Sequence, residues 1–354
     1  MAPEPLVAVD ASPATREVQT GTERYCAELC RRLAAAAPDL RFTFYASRPA
    51  PAPGFDPTVL PAPRLWSQLR LPAELWGHRP DLLFVPAHAV PYLAPGRATT
   101  VVHDLAFERY PEAYAPAERA YLRLTTRWAC RRCRLLCAVS EATKRDLVEL
   151  YGVDPDRITV VHNGLSPVPP PPTEEEVQRR IAALGVDGPY CLHVGRVEAK
   201  KNQATALEAV SRLPDLLLVS AGPIRDEELA GRLRTSPRAR VLGRVPAADL
   251  EALYKGARAL IFPSLYEGFG FPVLEAQQRG LPVVTARVSS LPEVGGDAAE
   301  YADDPLDEEE IAAALERALN RSRELAERGY AHAATFSWDR TAAGVADLLR
   351  RALA

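Results

Sequence analysis

Short apolar runs alternate with amphipathic helical patterns along this sequence. Apolar strands that alternate with helices are typical of parallel sheets covered on both faces, so this feature predicts an α/β fold. For the first half we predict strands at 6–10, 41–46, 81–86, 99–103, 135–140 and 158–162, and helices at 21–36, 115–133 and 141–151. The first half is therefore expected to form a doubly wound α/β domain.

A proline run then interrupts the pattern. The segment 167–172 reads Pro-Val-Pro-Pro-Pro-Pro, which cannot continue a helix or a strand and favours a stiff spacer. Thr173 and the acidic residues after it predict the start of a helix. Beyond it we predict strands at 190–194, 216–221, 239–242, 259–263 and 282–286, and a long helix at 308–328.

This second alternation predicts three parts of the chain. They are a Rossmann-like domain at 1–168, a second at 169–335, and a C-terminal helix at 336–354 that packs back on the first domain. Two doubly wound parallel sheets in succession predict a central cleft, with the carboxyl ends of both sheets facing it.

Composition narrows the class of protein. The 354 residues include 47% hydrophobic and 25% charged residues, and the formal net charge is -3, which argues against a nucleic-acid partner. The first residues do not resemble a signal peptide, and no apolar run approaches the length needed to span a bilayer. A cytoplasmic enzyme is the resulting expectation.

Six cysteines are too few for a disulfide scaffold in a chain of this length. Cys130, Cys133 and Cys137 have the spacing of one helical face, and the first two also form a Cys-x-x-Cys pair. No second Cys/His pair accompanies them, so we interpret them as packed thiols and predict no metal site.

Two glutamates stand around the predicted turn between a strand and a helix. Glu267 precedes Gly268 and Gly270, and Glu275 follows within the helix that starts near Phe271. Glycines let the backbone approach a ligand, and carboxylates accept strong hydrogen bonds from hydroxyls such as those of a sugar and a ribose. A solvated loop glutamate and a helix-surface glutamate are the alternative.

The segment 266–275, with Gly280-Leu281-Pro282-Val283-Val284 and Ser289-Ser290-Leu291-Pro292-Glu293-Val294, resembles the E-x7-E region of the family-4 retaining glycosyltransferases. The resemblance extends over essentially the whole chain and is strongest to bacterial mannosyltransferases. It implies the GT-B fold, with an acceptor-side first domain and a donor-binding second domain. It also implies that Glu275 holds the ribose and Glu267 the transferred sugar, with backbone amides of Phe269, Gly270 and Phe271 assisting.

A basic turn follows the first strand of the second domain. Arg196 and Lys201 lie in Val194-Gly195-Arg196-Val197-Glu198-Ala199-Lys200-Lys201-Asn202, and two fixed cations can offset the charge that develops on a diphosphate leaving group. The family places its phosphate-binding pair at this spacing. A solvated basic turn is the alternative. No Asp-x-Asp metal motif stands out, so no metal cofactor is expected.

Two features of the first half match the family as well. Gly21, at the start of a predicted helix, resembles the glycine loop that closes over the donor phosphate, although a second glycine often found beside it is replaced by threonine. His103, followed by Asp104, matches a His-Asp pair whose histidine lies near the sugar and the acceptor. A core histidine bonded to the backbone is the alternative.

Together these features predict a retaining transfer of a hexose from a nucleotide-diphosphate sugar to a saccharide or lipid-linked acceptor. GDP-mannose is the preferred donor by resemblance, with UDP-, ADP- and dTDP-sugars open. A sugar-nucleotide epimerase and a non-catalytic nucleotide-sugar-binding protein are the alternatives. A glycoside hydrolase is disfavoured, because both carboxylates lie on one turn.

The predicted helix around 121–134 is basic. It carries Arg123, Arg127, Arg131, Arg132 and Arg134 beside Tyr121, Leu124 and Trp128. Peripheral contact with the inner face of a membrane and a solvated helix surface are both compatible with this pattern.

Overall fold

The computed structural model of the protein describes residues 4–17, 20–51, 54–62, 65–87, 89–170 and 172–354. Pro171 of the predicted spacer lies outside these residues. The chain divides into two compact units. The first contains the chain up to Gly164 together with Phe336–Ala354, and the second is Leu165–Thr335.

The first unit is a parallel sheet with helices packed on it. Its described strands are β1 (Leu6–Asp10), β2 (Arg41–Ala46), β3 (Thr58–Val59), β4 (Leu82–Val85), β5 (Arg97–Val102), β6 (Leu136–Ala138) and β7 (Ile158–Val160). Its described helices before Gly164 are α1 (Gly21–Ala36), α2 (Leu71–His78), α3 (Ala106–Arg109), α4 (Pro116–Arg132) and α5 (Glu141–Tyr151). The strand order β3-β2-β1-β4-β5-β6-β7 reverses direction after β1, which is the doubly wound arrangement.

The second unit repeats this plan. Its described helices are α6 (Glu174–Ala183), α7 (Gln203–Ser211), α8 (Glu227–Thr235), α9 (Ala247–Gly256), α10 (Phe271–Gln277), α11 (Leu291–Gly295), α12 (Glu308–Asn320) and α13 (Ser322–Ala333). Its described strands are β8 (Tyr190–Val194), β9 (Leu217–Ala221), β10 (Ala239–Gly243), β11 (Ala259–Phe262), β12 (Val283–Ala286) and β13 (Glu300–Ala302). The parallel order β10-β9-β8-β11-β12-β13 reverses after β8.

Central strands carry the core of each unit. β4 reads Leu-Leu-Phe-Val and β11 reads Ala-Leu-Ile-Phe, and every residue of both strands is buried. Such unbroken apolar runs occur where helices cover both faces of a parallel sheet. The predicted fold class, two Rossmann-like α/β domains, is confirmed.

The last helix, α14 (Trp338–Leu353), returns to the first unit and packs on α1. Trp338 is buried, and its backbone approaches Gly164 so closely that a Cβ there would lie 2.2 Å from the Trp338 nitrogen. Two ion pairs join α14 to the first part of this unit. They are Arg32–Asp339 at 2.9 Å and Arg350–Asp39 at 2.7 Å.

The single long helix predicted at 308–328 is wrong. The structure ends α12 at Asn320 and begins α13 at Ser322, with Arg321 between them at φ -106° and ψ 19°. Asparagine and serine favour helix ends because their short polar side chains compete for the backbone. The break lets α12 pack on α7 while α13 packs on α10.

The predicted helical face of three cysteines is also wrong, because the chain leaves α4 at Cys133 and enters a strand that contains Cys137. All six cysteines are buried free thiols. Burial raises the pKa of Cys130 to about 11 and that of Cys133 to about 12. These thiols therefore pack as small hydrophobic groups.

Within the part of the chain that the structure describes, no helix combines the length and the apolar character needed to cross a bilayer.

Candidate active site

Two loops of the second unit meet where its strand order reverses. β8 lies beside β11, with Cys191 opposite Ala259. The loop after β8 carries Lys201, and the loop after β11 carries Glu267. Doubly wound domains bind ligands outside the carboxyl ends of their strands at such a reversal. This edge of the sheet is therefore the candidate site.

Lys201 and Glu267 form a largely buried ion pair here. Lys201 Nζ lies 2.5 Å from Glu267 Oε1, and the two side chains are only 15% and 11% exposed. Burial raises the pKa of Glu267, but the charges of Lys201 and Lys200 and the hydrogen bond from Lys201 outweigh it, so the pKa lies below its ordinary value. The carboxylate is therefore held ionised as a hydrogen-bond acceptor.

Two serines hold the loop that carries Glu267. The Glu267 N–H donates to Ser289 Oγ at 2.9 Å. Ser290 Oγ lies within donating distance of the carbonyls of Glu267 (3.0 Å) and Phe269 (2.7 Å). Both serines belong to the family pattern in the sequence, but the pattern does not reveal which loop they contact.

The residues between the two glutamates turn the chain into α10. Gly270 has a φ of +109°, a left-handed conformation that favours glycine, and α10 begins at Phe271. Phe269 is buried and its ring packs edge-on against Phe271, with the centroids 5.4 Å apart. The Phe269 ring is therefore occupied by packing, and only the backbone of this residue can contact a ligand.

Glycines also shape the loop after β8. A Cβ on Gly222, which follows β9, would lie 2.0 Å from the carbonyl oxygen of Gly195. Val197 continues this contact, because its N–H donates to the Pro223 carbonyl at 2.9 Å. The loop after β9 thus supports the basic turn from one side, a contact that sequence reasoning missed.

Arg196 and Lys201 differ in their surroundings. Arg196 is exposed, and within the described residues its guanidinium has no ion-pair partner, whereas Lys201 is committed to Glu267. The carbonyl of Arg196 accepts a hydrogen bond from Gln203 Nε2 at 2.6 Å, which fixes the backbone and leaves the side chain at the surface.

His193, in the strand before this turn, contacts the turn backbone. The sequence did not point to this role of His193. The side chain is fully buried in β8, and Nε2 lies 3.1 Å from the Lys201 carbonyl oxygen. Burial lowers the pKa of His193 to about 4, and the nearby Lys201 charge also lowers it. The ring is therefore neutral, with its Nε2–H donating to the turn that positions Lys201.

Glu275 lies on α10 and is bound from α9. Tyr254, buried in α9, donates from its hydroxyl to Glu275 Oε2 at 3.1 Å. Arg279 stacks over the Tyr254 ring at 4.7 Å, pairs with Glu251, and donates to the Glu275 carbonyl at 2.7 Å. This network orients Glu275, and Tyr254 carried no recognisable signal in the sequence.

The first unit brings the start of α1 close to His103. Gly21 is the first residue of α1, where Thr20 and Glu23 form a reciprocal cap. Tyr25, one turn later, meets the His103 ring edge-on at 4.9 Å. These predicted residues therefore lie on neighbouring elements of one unit.

His103 is held by the backbone on one side of its ring. Nε2 lies 2.8 Å from the Pro86 carbonyl oxygen, and burial lowers the pKa of His103 despite the nearby charges of Asp104 and Glu23. A neutral ring that donates from Nε2 has an unprotonated Nδ1, which can accept a hydrogen bond. Asp104 accepts at 3.0 Å from the N–H of Ala106, the first residue of α3.

Among the described residues, no group of three or more His, Cys, Asp or Glu side chains has the arrangement of a metal site.

Two family models match the chain. The model described as Glycosyltransferase Family 4 matches residues 19–168, and the model described as Glycosyl transferases group 1 matches residues 174–335.

Individual relatives agree with these models. O-antigen chain mannosyltransferase B of Escherichia coli is 33% identical over 300 residues, which cover 80% of this chain and 78% of that protein. D-inositol 3-phosphate glycosyltransferase of Mycobacterium tuberculosis (strain ATCC 25177 / H37Ra) is 30% identical over 234 residues, which cover 59% of this chain and 47% of that protein.

Solved structures share the fold at lower identity. WaaG, a glycosyltransferase involved in lipopolysaccharide biosynthesis, superposes with a TM-score of 0.72 at 18% identity, over 97% of this chain and 99% of that one. Anabaena HepE in complex with UDP-glucose superposes with a TM-score of 0.72 at 16% identity, over 98% of this chain and 99% of that one. The chain therefore belongs to the family-4, group 1 glycosyltransferases and has the GT-B fold.

Proposed function

We propose that the protein is a retaining glycosyltransferase that moves a hexose from a nucleotide-diphosphate sugar to a saccharide or lipid-linked acceptor in cell-surface polysaccharide or glycan assembly. The observation that carries the proposal is the buried Lys201–Glu267 pair at the strand reversal of the second unit. A mannosyltransferase among the relatives supports mannose as the sugar, with GDP-mannose as the preferred donor.

In this proposal the second unit binds the donor. Lys201 and Arg196 face the diphosphate, where their charges offset the negative charge of the leaving group. Glu267 accepts hydrogen bonds from the hydroxyls of the sugar, and Glu275 accepts from those of the ribose. The backbone amides of 269–271 assist at the start of α10. Lys201 and Arg196 supply the positive charge that a metal supplies elsewhere, so the proposed reaction needs no metal.

The first unit binds the acceptor. In this role, His103 Nδ1 accepts a hydrogen bond from a hydroxyl of the sugar or the acceptor. Gly21, which has no side chain, leaves room for a phosphate at the start of α1. A neutral His103 with its Nε2–H bound to Pro86 suits a positioning role better than that of a general acid.

Transfer proceeds on one face of the sugar. The bond between C1 and the diphosphate oxygen breaks, the acceptor oxygen forms the new bond to C1, and the acceptor proton passes to an oxygen of the leaving phosphate. No enzyme nucleophile takes part in this proposal, in which Glu267, paired with Lys201, serves as a hydrogen-bond acceptor for the sugar. We propose that the reaction takes place in the cytoplasm, where a lipid-linked acceptor would be reached at the inner face of the membrane.

Thermal stabilisation tests the donor site. Purified protein in EDTA is heated with GDP, UDP, ADP and dTDP and their sugars at millimolar concentration. A shift with one nucleotide that is lost in Glu275→Ala supports the proposal, whereas no shift with any ligand would contradict it. A stabilising donor that yields epimerised nucleotide sugar, or no turnover with any saccharide, would favour an epimerase or a non-catalytic binding protein instead.

A further inference from the structure

Strongly exposed large hydrophobic side chains cluster on the first unit. Among the described residues, six of them lie on three neighbouring segments and are between 43% and 61% exposed. The segments are the turn Trp66–Arg70 with the α2 helix that follows it, the loop after β4, and α4. We call these six residues the apolar patch: Leu69, Trp76, Tyr92, Leu93, Tyr121 and Leu124.

Hydrogen bonds and ring contacts join the three segments into one surface. Trp76 Nε1 donates to the Leu93 carbonyl at 3.0 Å, and the Tyr92 N–H donates to Gln68 Oε1 at 3.1 Å. The Tyr92 ring packs on Trp128 of α4, with the centroids 5.2 Å apart. The patch is therefore held in place, and the Trp76 indole has its polar atom satisfied while half of its surface stays exposed.

Positive charge lies beside this apolar surface. Leu124, Arg127 and Arg131 follow at spacings of three and four on the exposed side of α4. In the described parts of the chain, neither Arg127 nor Arg131 has an ion-pair partner. Arg123 differs, because its Nε lies 3.0 Å from Glu108.

Arg132 also belongs to the basic helix predicted from the sequence. Its guanidinium donates to the Gly96 carbonyl, and the side chain is half-buried. Arg127 and Arg131 are thus the arginines of α4 that an external anion can neutralise most directly.

We propose that the apolar patch with Arg127 and Arg131 is a docking surface for an anionic lipid bilayer. Tryptophan and tyrosine suit the level of the headgroups, where one end of the side chain is apolar and the other meets water. Leu93 and Leu124 reach toward the acyl chains, and the two guanidinium groups contact lipid phosphates.

A second copy of this chain fits the surface less well. In a symmetric dimer the same patch would face itself, so the unpaired Arg127 and Arg131 of one copy would approach those of the other. Like charges repel, whereas an anionic bilayer supplies the complementary charge. The purpose of the docking, access to a lipid-linked acceptor, rests on the proposed function. The binding to the bilayer does not depend on that function.

Vesicle flotation tests the proposal with the full-length protein. Vesicles of phosphatidylcholine are compared with vesicles that also contain phosphatidylglycerol, without donor or acceptor, so the result does not depend on transfer. We expect binding to the anionic vesicles that weakens about tenfold in Arg127→Glu. The matched control is Arg244→Glu, an exposed arginine of the second unit, which should bind like the wild type.

The apolar contribution is tested in the same way. Trp76→Ser combined with Leu93→Ser should weaken binding about tenfold or more, because two apolar side chains no longer enter the bilayer. Leu306→Ser, at the same 61% exposure as Leu93 but on the second unit, should leave it unchanged. Lipids brominated in the acyl chain should quench the tryptophan fluorescence of the wild type more than that of Trp76→Phe.

Several results would overturn the proposal. They are no binding of the wild type to anionic vesicles, equal losses in the patch variants and in their controls, or quenching that Trp76→Phe leaves unchanged. A concentration-dependent dimer in ultracentrifugation that Trp76→Ser/Leu93→Ser abolishes would assign the surface to a second copy of the chain instead.

Discussion

At the scale of single residues, the Lys201–Glu267 pair is costly to bury. Removing two charges from water costs several kcal/mol, and apolar side chains of similar volume often stabilise a fold better. The pair nevertheless lies at the carboxyl edge of the sheet, where ligands of this fold bind. We interpret its retention as a requirement of binding and chemistry rather than of folding.

Removing either partner tests this interpretation. Lys201→Ala or Glu267→Ala should lower the rate of transfer by about 10²–10³-fold, because a fixed charge no longer meets the donor. In urea unfolding, Lys201→Ala should also lose roughly 3 kcal/mol, since a buried carboxylate is left unpaired. The double variant should lose less than the sum of the two single losses.

The neighbouring Lys200→Ala serves as the control for this pair, because it removes the same charge from the same turn and should have a much smaller effect. Near-normal turnover in either single variant, or strictly additive losses of stability, would contradict the assigned role.

His193 makes a prediction about pH. Its pKa is about 4 in the folded protein, against 6.5 ordinarily, so the unfolded chain binds the proton more tightly. The stability that neutral His193 contributes is therefore present above pH 6.5 and is lost as the pH falls from 6.5 to 4. The free energy of unfolding should fall by up to about 3 kcal/mol across that window.

Urea unfolding of the wild type and of His193→Gln at several pH values in this window measures the effect. The variant should lose this part of the pH dependence, while His78→Gln, at an exposed histidine, should retain it. Identical pH profiles for the wild type and His193→Gln would show that His193 does not titrate in this way.

At the scale of elements, α9 and α10 act as one support for Glu275. Tyr254 and Arg279 connect the two helices through the Glu275 side chain and its carbonyl. A carboxylate fixed from behind loses less freedom when a hydroxyl binds to it, so ordering it in advance favours affinity.

Tyr254→Phe removes that hydroxyl and keeps the ring. If Glu275 binds ribose, the Kd of the nucleoside diphosphate should rise about tenfold, and discrimination against the 2′- and 3′-deoxy analogues should weaken. Calorimetric titration measures both. Tyr190→Phe removes another buried hydroxyl, bound to the Leu253 carbonyl at 2.8 Å, and should leave the Kd unchanged. Equal effects in the two variants would indicate general loosening of the unit.

Periodicity predicted some elements to the residue and missed others. The bounds predicted for α1 and α5 are those observed, because strong amphipathic patterns and clear capping residues define them. The break at Arg321 was missed because the apolar pattern continues through it. The three-residue edge strand β13 was missed because so short a segment has no readable period.

At the scale of the whole molecule, the two sheets and their class could be predicted from the repeated alternation of strands and helices. The motifs of the candidate site could also be found, each within its own loop. Their contacts could not, because Lys201 and Glu267 are separated by 66 residues and meet only through the pairing of β8 with β11. The supports His193 and Tyr254 resemble ordinary core residues in sequence.

Retention of configuration tests the central claim most directly. Purified protein is incubated in EDTA with α-linked GDP-mannose and a panel of saccharide acceptors, and the one-bond carbon–proton coupling at C1 of the product is measured by NMR. We predict an α-linked glycoside and equimolar release of GDP, with both rates lowered about 10²–10³-fold in Lys201→Ala. A β-linked product, or a strict requirement for added metal, would contradict the account.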